Sequence, residues 1–334
     1  SSMNRRSLWL AGGAAALVLA LILIIGSVTA ARSNSPQPAQ TAMADTHNMS
    51  GDNQGQPAAM RPHEYTPTEG SGGQPLAYKM DGDTKVFELT AKEVMWEISP
   101  GKKVKAWAWN GTVPGPIIRV TEGDKVRIIV YNELPEPTTL HSHGLDVPYN
   151  MDGVSGMTQD PIPPGGTFTY EFVARPAGTH WYHSHHDSAK QVSMGLYGAF
   201  IVDPKKPAIK ADRDYTMTIA DAGLGFSLNG KSFPATEPLE AKMGETIRLR
   251  LINVGEMIHP MHLHGQPFTV ITKDGYPLAQ PQMMDTITIA PGETYDVLIK
   301  PNAPGNWAFH CHILPHAEDS QGMMGLTTTF HVAP

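Results

Sequence analysis

Ten of the fifteen histidines in this 334-residue chain lie in four short motifs. The motifs are His141-Ser142-His143-Gly144, His183-Ser184-His185, His259-Pro260-Met261-His262-Leu263-His264-Gly265, and His310-Cys311-His312 followed by His316. Alternate residues of a β-strand point to the same face, ~6.5 Å apart along the chain, so each His-x-His pair places two imidazoles side by side. Imidazole binds copper, zinc, iron or nickel. The four pairs supply eight imidazoles, which is more than one mononuclear site uses, and they predict a cluster of metals.

Cys311 is the sole cysteine, so no disulfide forms within the chain. In an extended segment His310 and His312 face one way and Cys311 faces the other. Cys311 can therefore bind a different metal while its neighbours bind the cluster, which creates a through-bond path for an electron. Candidate partners of the thiolate are His259, His316 and Met323, a set typical of blue-copper sites. The alternatives are structural zinc, which takes four strong ligands, and a buried inert thiol.

An internal duplication organises the chain from about residue 75 onward. Residues 123–132 match residues 244–253, and the same offset relates the first histidine motif to the third. Six residues are inserted in the second half after the third motif. A correspondingly larger difference in residue number then relates the second motif to the fourth. Both halves keep two His-x-His pairs, so we expect the cluster to draw four histidines from each half. The positions that match His259, Cys311 and His316 in the first half are Thr138, Ser184 and Ala189. The cysteine site is therefore expected once, in the second half.

The segments that carry these motifs read as β-strands. Apolar residues alternate at Val126, Ile128 and Val130, and Pro-Gly turns separate the runs. The 32 Gly and 29 Pro suit an all-β protein better than a helical one. We predict two tandem β-sandwich or barrel domains at about 75–205 and 206–334. The net charge of −7, without a long basic run, gives nucleic-acid binding no electrostatic support.

In this order and spacing, the four motifs resemble the copper signatures of the multicopper oxidases, over nearly the whole chain from about residue 85 onward. The resemblance implies cupredoxin-like Greek-key domains and four copper ions per chain: one type 1, one type 2 and two type 3. It implies that His141 and His262 hold the type 2 copper, and that His259, Cys311 and His316 hold the type 1 copper. The type 3 pair would be held by His143, His183, His185, His264, His310 and His312.

Two features depart from the common family pattern. Most members have three cupredoxin domains, whereas this chain resembles the two-domain, laccase-like subgroup. That subgroup forms homotrimers whose clusters lie between the first domain of one subunit and the second domain of the next. The axial ligand of the type 1 copper usually lies five residues after the last histidine, where this chain has Gln321. A two-residue insertion realigns the pattern on Met323, which is favoured over Met324.

Two carboxylates match family residues that deliver protons for oxygen reduction. Asp152 lies eleven residues after His141, and Glu318 lies beside the type 1 loop. Asp152 also precedes Gly153, so a role in a turn is the simpler alternative and is compatible with a relay. His180 and His186 flank the second motif and are assigned no copper.

The first 74 residues predict export and a tether. Arg5 and Arg6 precede an apolar stretch from Leu8 to about Ala31, long enough to favour a retained membrane anchor within residues 1–31. Cleavage near residue 30 is the alternative. Residues 32–74 are rich in Ser, Pro, Gln and Gly and predict a flexible tether, whose Met and His residues could hold Cu(I) loosely.

The sequence thus predicts a laccase-like, extracytoplasmic oxidoreductase that passes electrons from a reducing substrate, such as a phenol, to O2. The nearest alternative is a metallo-oxidase that oxidises Cu(I) for copper tolerance, favoured by Met257, Met261, Met283 and Met284. A copper nitrite reductase would carry the cysteine copper in the first half, where this chain has Ser184. A cupredoxin electron carrier would leave the eight cluster histidines without a role.

Overall fold

The computed structural model describes residues 63–334, and this part of the chain is built almost wholly of β-strands. The strands of the first half are β1 Lys79–Asp81, β2 Thr84–Ser99, β3 Lys102–Trp109, β4 Gly115–Thr121, β5 Lys125–Asn132, β6 His141–His143, β7 Thr167–Val173, β8 Gly178–His183 and β9 Tyr197–Asp203. Those of the second half are β10 Arg213–Ala220, β11 Ser227–Leu228, β12 Leu239–Lys242, β13 Ile247–Asn253, β14 His259–Leu263, β15 Phe268–Lys273, β16 Tyr276–Met284, β17 Thr286–Ile289, β18 Thr294–Ile299, β19 Gly305–Cys311, β20 Glu318–Asp319, β21 Gly322–Met323 and β22 Thr327–Ala333. One short α-helix, α1 Ser188–Ser193, and 3-10 turns at Tyr149–Met151 and Leu314–His316 complete the described elements. The all-β prediction is confirmed.

Each half is built around two packed sheets, and the second half also contains the two-stranded β20–β21 hairpin. In the first half, β1-β2-β5-β7, with β3 paired to β2, faces β4-β9-β8-β6 across a shared core. In the second half, β11-β10-β13-β18-β15-β16 and β12-β22-β19-β14-β17 enclose the corresponding core. The duplication is visible in the pairing, because β2 runs parallel to β5 as β10 does to β13, and β6 pairs with β8 as β14 does with β19.

The alternating apolar residues form these cores. Val126, Ile128 and Val130 on β5 are at most 1% exposed, as are Ile247 and its same-face neighbours on β13. Each buried aliphatic side chain stabilises the fold by roughly 1.5–3 kcal/mol. Strand β13 is also buried on its other face, where the Arg250 guanidinium binds carboxylates on β10 and β18. A third apolar cluster there contains residues of both halves.

The last residues of the predicted tether are held against the folded body. The Thr66 N–H donates to the Pro234 carbonyl at 2.8 Å, and the Gly73 N–H donates to Pro114 at 3.0 Å. The buried Lys231 ammonium donates to the Glu69 carbonyl at 2.8 Å. These bonds are made by the backbone, so the lack of apolar side chains does not reveal them. Residues 32–62 of the tether lie outside the described part.

The predicted anchor within residues 1–31 also lies outside the described residues. Between residues 63 and 334, no helix has the length and apolar character needed to cross a membrane. The division of the body at residue 205 stays a prediction.

Candidate metal centre

Strands β6 and β8 bring together the histidines of the first half. Antiparallel pairing places His141 opposite His183, and the centroids of these two rings lie 5.2 Å apart. His185 lies 5.5 Å from His141, and the ligand nitrogens of His141, His143 and His183 all lie within 4.8 Å of one another. Trp181 stacks on His143 and His183 at centroid distances of 4.8 and 4.2 Å. We call His141, His143, His183 and His185 the first histidine set.

The imidazoles of the first histidine set are prepared to bind a metal. Burial, followed by the nearby histidines, lowers the pKa of His183 to about 3 and that of His143 to about 4. Both rings are therefore neutral near pH 7, as metal binding requires. The Nδ1–H of His183 donates to the Ser184 carbonyl at 2.8 Å, and that of His141 donates to the Asp152 carbonyl at 2.7 Å. These bonds leave each Nε2 lone pair free.

The second histidine set, His262, His264, His310 and His312, is built in the same way on β14 and β19. His262 lies opposite His310, and its ring centroid is 4.8 Å from that of His264 and 5.6 Å from that of His312. The Nδ1–H of His262 donates to the Asp285 carbonyl at 2.9 Å. His264 and His312 are exposed at the surface of the chain.

The two histidine sets do not meet within the described part of one chain. Among these eight imidazoles, every ring contact joins members of the same set. The first set opens on a cavity of about 650 Å³, whose opposite wall carries Asp221, Glu256 and Pro291 of the second half and none of the second set. A single chain therefore presents two separate half-sites instead of one cluster.

Cys311 lies with His259 and His316 in a separate buried triad. The Sγ atom is 3.7 Å from the Nδ1 atoms of both histidines. The exposed fractions are 0% for Cys311, 0% for His259 and 8% for His316. Burial raises the pKa of the Cys311 thiol to about 11, so a bound cation is needed to stabilise its thiolate at neutral pH. Two imidazole nitrogens and a thiol that converge in a dry site fit a blue-copper ion.

The alternation at residues 310–312 is present as the sequence predicts. Cys311 pairs with Met261 on β14 and belongs to the apolar core, whereas His310 pairs with His262 in the second histidine set. One short segment thus contributes to both the buried triad and the second histidine set.

Asp221 is a residue of this centre that the sequence analysis missed. Its carboxylate accepts the Nε2–H of His259 at 2.8 Å, and both side chains are fully buried. It also accepts the backbone N–H groups of Glu256 at 2.8 Å and Met257 at 3.0 Å. Burial opposes its charge, but these hydrogen bonds hold its pKa below the ordinary value. Asp221 lies 38 residues before His259 in no recognisable motif, so the sequence offered no signal.

A hydrogen-bonded network occupies the matching place in the first half. The Thr138 hydroxyl lies 3.2 Å from the Ser184 hydroxyl and donates to the Gln191 amide oxygen at 2.8 Å. All three side chains are buried. Hydroxyl and amide groups that satisfy one another provide no soft ligand, which agrees with the expectation of one cysteine site per chain.

The remaining predicted site residues lie near the histidines, and their roles stay predictions. The Asp152 carboxylate is 3.4 Å from the His141 Nδ1 atom. Glu318 pairs with Met323 in the β20–β21 hairpin, and both line a small cavity of about 40 Å³ beside His310. Met323 is 40% exposed, whereas Met324 is half-buried.

The two extra histidines bind protein groups. The Nε2–H of His180 donates to the Pro176 carbonyl at 3.0 Å, and the His186 ring lies 2.9 Å from the Ser155 hydroxyl.

Comparison with known proteins places this architecture in one family. Two family models, both described as multicopper oxidase, match residues 90–207 and 207–330. Copper resistance protein A of Pseudomonas syringae pv. tomato is 29% identical over 73% of this chain and 50% of its own length. The Escherichia coli protein of the same name is 31% identical over 68% of this chain and 47% of its own length.

The chain spans about half the length of these two relatives. A solved structure of similar size, the blue copper oxidase from Nitrosomonas europaea, is 37% identical with a TM-score of 0.70, over 74% of this chain and 85% of that one. The duplicated β-sandwich, the paired histidines and the Cys-His-His triad agree with these matches, and the chain belongs to the multicopper oxidase family.

Proposed function

We propose that the protein is a laccase-like oxidase that couples four one-electron oxidations of a small reducing substrate, such as a phenol, to the reduction of O2 with four protons to two waters. The observation that carries the proposal is the division of residues 310–312 between two sites. Cys311 lies in the buried triad, and its covalent neighbours belong to the second histidine set. Copper bound at both sites would supply the one-electron chemistry and the reduction of O2.

The proposed ligand assignment is the one that the family resemblance implies, and the grouping of the side chains is compatible with it. His259, Cys311 and His316 would hold the type 1 copper, with Met323 as its axial ligand. His141 and His262 would hold the type 2 copper, and the other six members of the two histidine sets would hold the type 3 pair. This gives four coppers per chain. In His141, His183 and His262, Nδ1 is already bonded to a carbonyl oxygen, so Nε2 is the nitrogen left to bind the metal.

A complete cluster requires a second copy of the chain. The half-sites lie apart within one chain, so we propose that the first histidine set of one subunit meets the second set of its neighbour in a homotrimer. The exposure of His264 and His312 supports this arrangement, since a partner would cover them. Asp152, beside His141, and Glu318, beside His310, would deliver protons to this interface.

Mixing two inactive variants tests the shared cluster. His185→Ala damages the first histidine set and His312→Ala the second, so each variant alone should lose oxidase turnover. If clusters form between subunits, refolding the two together restores intact interfaces and part of the activity. If each cluster forms within one chain, the mixture stays inactive.

Copper analysis tests the proposed chemistry itself. We expect four coppers per chain, an intense blue absorption from the Cys311 thiolate and a near-ultraviolet shoulder from the type 3 pair. A single metal ion per chain in the purified holoprotein would contradict the oxidase.

A second candidate is the oxidation of Cu(I). Met257 is 38% exposed, and its backbone N–H is bound by Asp221, which also binds His259. A thioether therefore lies at the surface close to the triad, and thioethers favour Cu(I). The resemblance to copper resistance proteins supports the same activity. Steady-state kcat/KM for Cu(I) against a phenol separates the two candidates.

For the location of the protein, we propose export, with residues 1–31 as a membrane anchor or a cleaved signal. Fractionation of cells followed by N-terminal sequencing distinguishes these outcomes.

A further inference from the structure

One loop contacts both imidazoles of the Cys311 triad. The loop connects β10 to β11 and runs from residue 221 to residue 226. At its start, the Asp221 carboxylate binds His259 at 2.8 Å. At its end, the Phe226 ring stacks on His316, with ring centroids 4.3 Å apart and an interplanar angle of 26°.

Phe226 covers one face of His316, the residue of the triad that retains contact with solvent. Cys311 and His259 are fully buried, so the 8% exposed fraction of His316 is the only solvent contact among the three residues. Phe226 is itself half-buried, and its ring therefore forms part of the surface above His316. A molecule that approaches the imidazole on the face stacked by Phe226 meets the phenyl ring first.

The phenyl ring is held firmly in this position. Phe226 packs against the apolar core of the second half, and Leu224 of the same loop is only 7% exposed. Gly325 passes directly beneath it at φ +55°. A Cβ at that position would lie 3.0 Å from the Phe226 Cβ and 2.3 Å from the His316 carbonyl oxygen. The absence of a side chain at residue 325 thus permits the close approach of Phe226 to His316.

We propose that Phe226 selects the electron donors of this centre by excluding aromatic molecules from the face of His316. This inference rests on the proposed oxidase function and adds a determinant of donor class to it. A stacked ring keeps a phenol ~3.5 Å farther from the imidazole than direct contact would. An inorganic reductant that has no planar ring to stack on the imidazole does not lose that contact, so its rate depends less on the barrier. Phenols remain donors of the centre, but Phe226 lowers the rate of their oxidation relative to that of inorganic reductants.

Removal of the phenyl ring tests the inference. In copper-loaded Phe226→Ala, kcat/KM for 2,6-dimethoxyphenol should rise about tenfold, equivalent to ~1.4 kcal/mol of transition-state stabilisation, with a change below about twofold for hexacyanoferrate(II). Phe226→Leu keeps the apolar contact with the core and should give an intermediate increase. Phe168→Ala is the matched control, because Phe168 is also a half-buried ring that contacts another aromatic ring, Tyr170, at a centroid distance of 4.7 Å in the other half. This control should change kcat/KM for neither 2,6-dimethoxyphenol nor hexacyanoferrate(II).

A second readout does not depend on bound copper. In the copper-free protein, carbethoxylation of His316 measured by mass spectrometry should be slow and should accelerate at least about fivefold in Phe226→Ala, as its exposed area grows. The exposed His312 serves as the internal reference and should react at the same rate in both proteins.

An unchanged ratio of phenol to hexacyanoferrate(II) turnover in Phe226→Ala and Phe226→Leu, with the blue absorption intact, would overturn the inference and leave the proposed function standing. Unchanged carbethoxylation of His316 would overturn it as well. In contrast, a copper-loaded unaltered protein that oxidises neither donor would contradict the proposed function, and the carbethoxylation of His316 would still decide whether Phe226 covers this imidazole.

Discussion

Replacement of Asp221 by Asn tests whether this buried carboxylate prepares His259 to bind copper. The change preserves the shape of the side chain and removes its charge. In the unaltered protein the carboxylate accepts three hydrogen bonds, from the Nε2–H of His259 and from the N–H groups of Glu256 and Met257. An amide presents one oxygen and one NH2 group, so it cannot accept all three.

The expected destabilisation follows from these contacts. The Glu256 N–H binds one carboxylate oxygen, and the other two donors bind the second oxygen. If the Asn oxygen replaces the second, the Glu256 N–H faces an NH2 group and loses its acceptor, which costs about 1–3 kcal/mol in a buried site. The two remaining bonds lose their charge assistance, at roughly 0.5–1 kcal/mol each. Because a charge no longer has to be buried, the net decrease in the free energy of unfolding should be about 2–4 kcal/mol.

The same substitution should shift the tautomer of His259, because the Asn amide can also take the opposite orientation. In that orientation the Met257 N–H, instead of the Glu256 N–H, loses its acceptor, and the NH2 group donates to the His259 Nε2 atom. The ring proton then moves to Nδ1, the nitrogen that faces the Cys311 sulfur at 3.7 Å. A protonated Nδ1 cannot bind the metal, so the affinity for the type 1 copper should fall by about 10–100-fold. Urea denaturation of the copper-free protein measures the first effect. The ¹⁵N shifts of the His259 ring and a copper titration followed at the blue band measure the second.

Asp285→Asn is the matched control. Its carboxylate is 71% exposed and lies 3.8 Å from the His262 Nδ1 atom, so removal of the charge should change stability by less than about 0.5 kcal/mol. If Asp221→Asn behaved like this control in stability, and if the ¹⁵N shifts of His259 stayed unchanged, the positioning role of Asp221 would be refuted.

Two further predictions concern the Cys311 triad and the first histidine set. Cys311→Ser should abolish the blue absorption and turnover while the type 2 and type 3 coppers remain; loss of all four coppers on elemental analysis would show that the ligands are divided wrongly. In the copper-free protein, the pKa of His183 is lowered to about 3 and that of His143 to about 4, so below pH ~6.5 the unfolded chain binds protons that the folded chain does not. Stability should therefore be greatest above pH ~6.5 and fall as the pH decreases toward 4, by up to ~1.4 kcal/mol per pH unit for each histidine. Urea titrations at several pH values measure this slope, and an equal slope in His183→Gln would contradict the assignment.

The sequence determined the chemistry and its local arrangement. Strand periodicity alone predicts that His310 and His312 share one face and that Cys311 points to the other, because this depends only on the geometry of an extended backbone. The duplication likewise predicted two equivalent sandwiches and the single cysteine site, since Ser184 stands where a ligand would be needed. The all-β fold followed from the same alternation of apolar residues.

Only the tertiary structure decided which groups surround those ligands. Asp221 and Phe226 reach His259 and His316 from a loop outside all four motifs, and residues 64–74 are held by backbone hydrogen bonds that leave no composition signal. The separation of the two histidine sets within one chain also depends on how the two halves pack. The physical reason is the same in each case. Local geometry is set by neighbouring dihedral angles, whereas contacts across tens of residues depend on the packing of whole sheets, which no short pattern encodes.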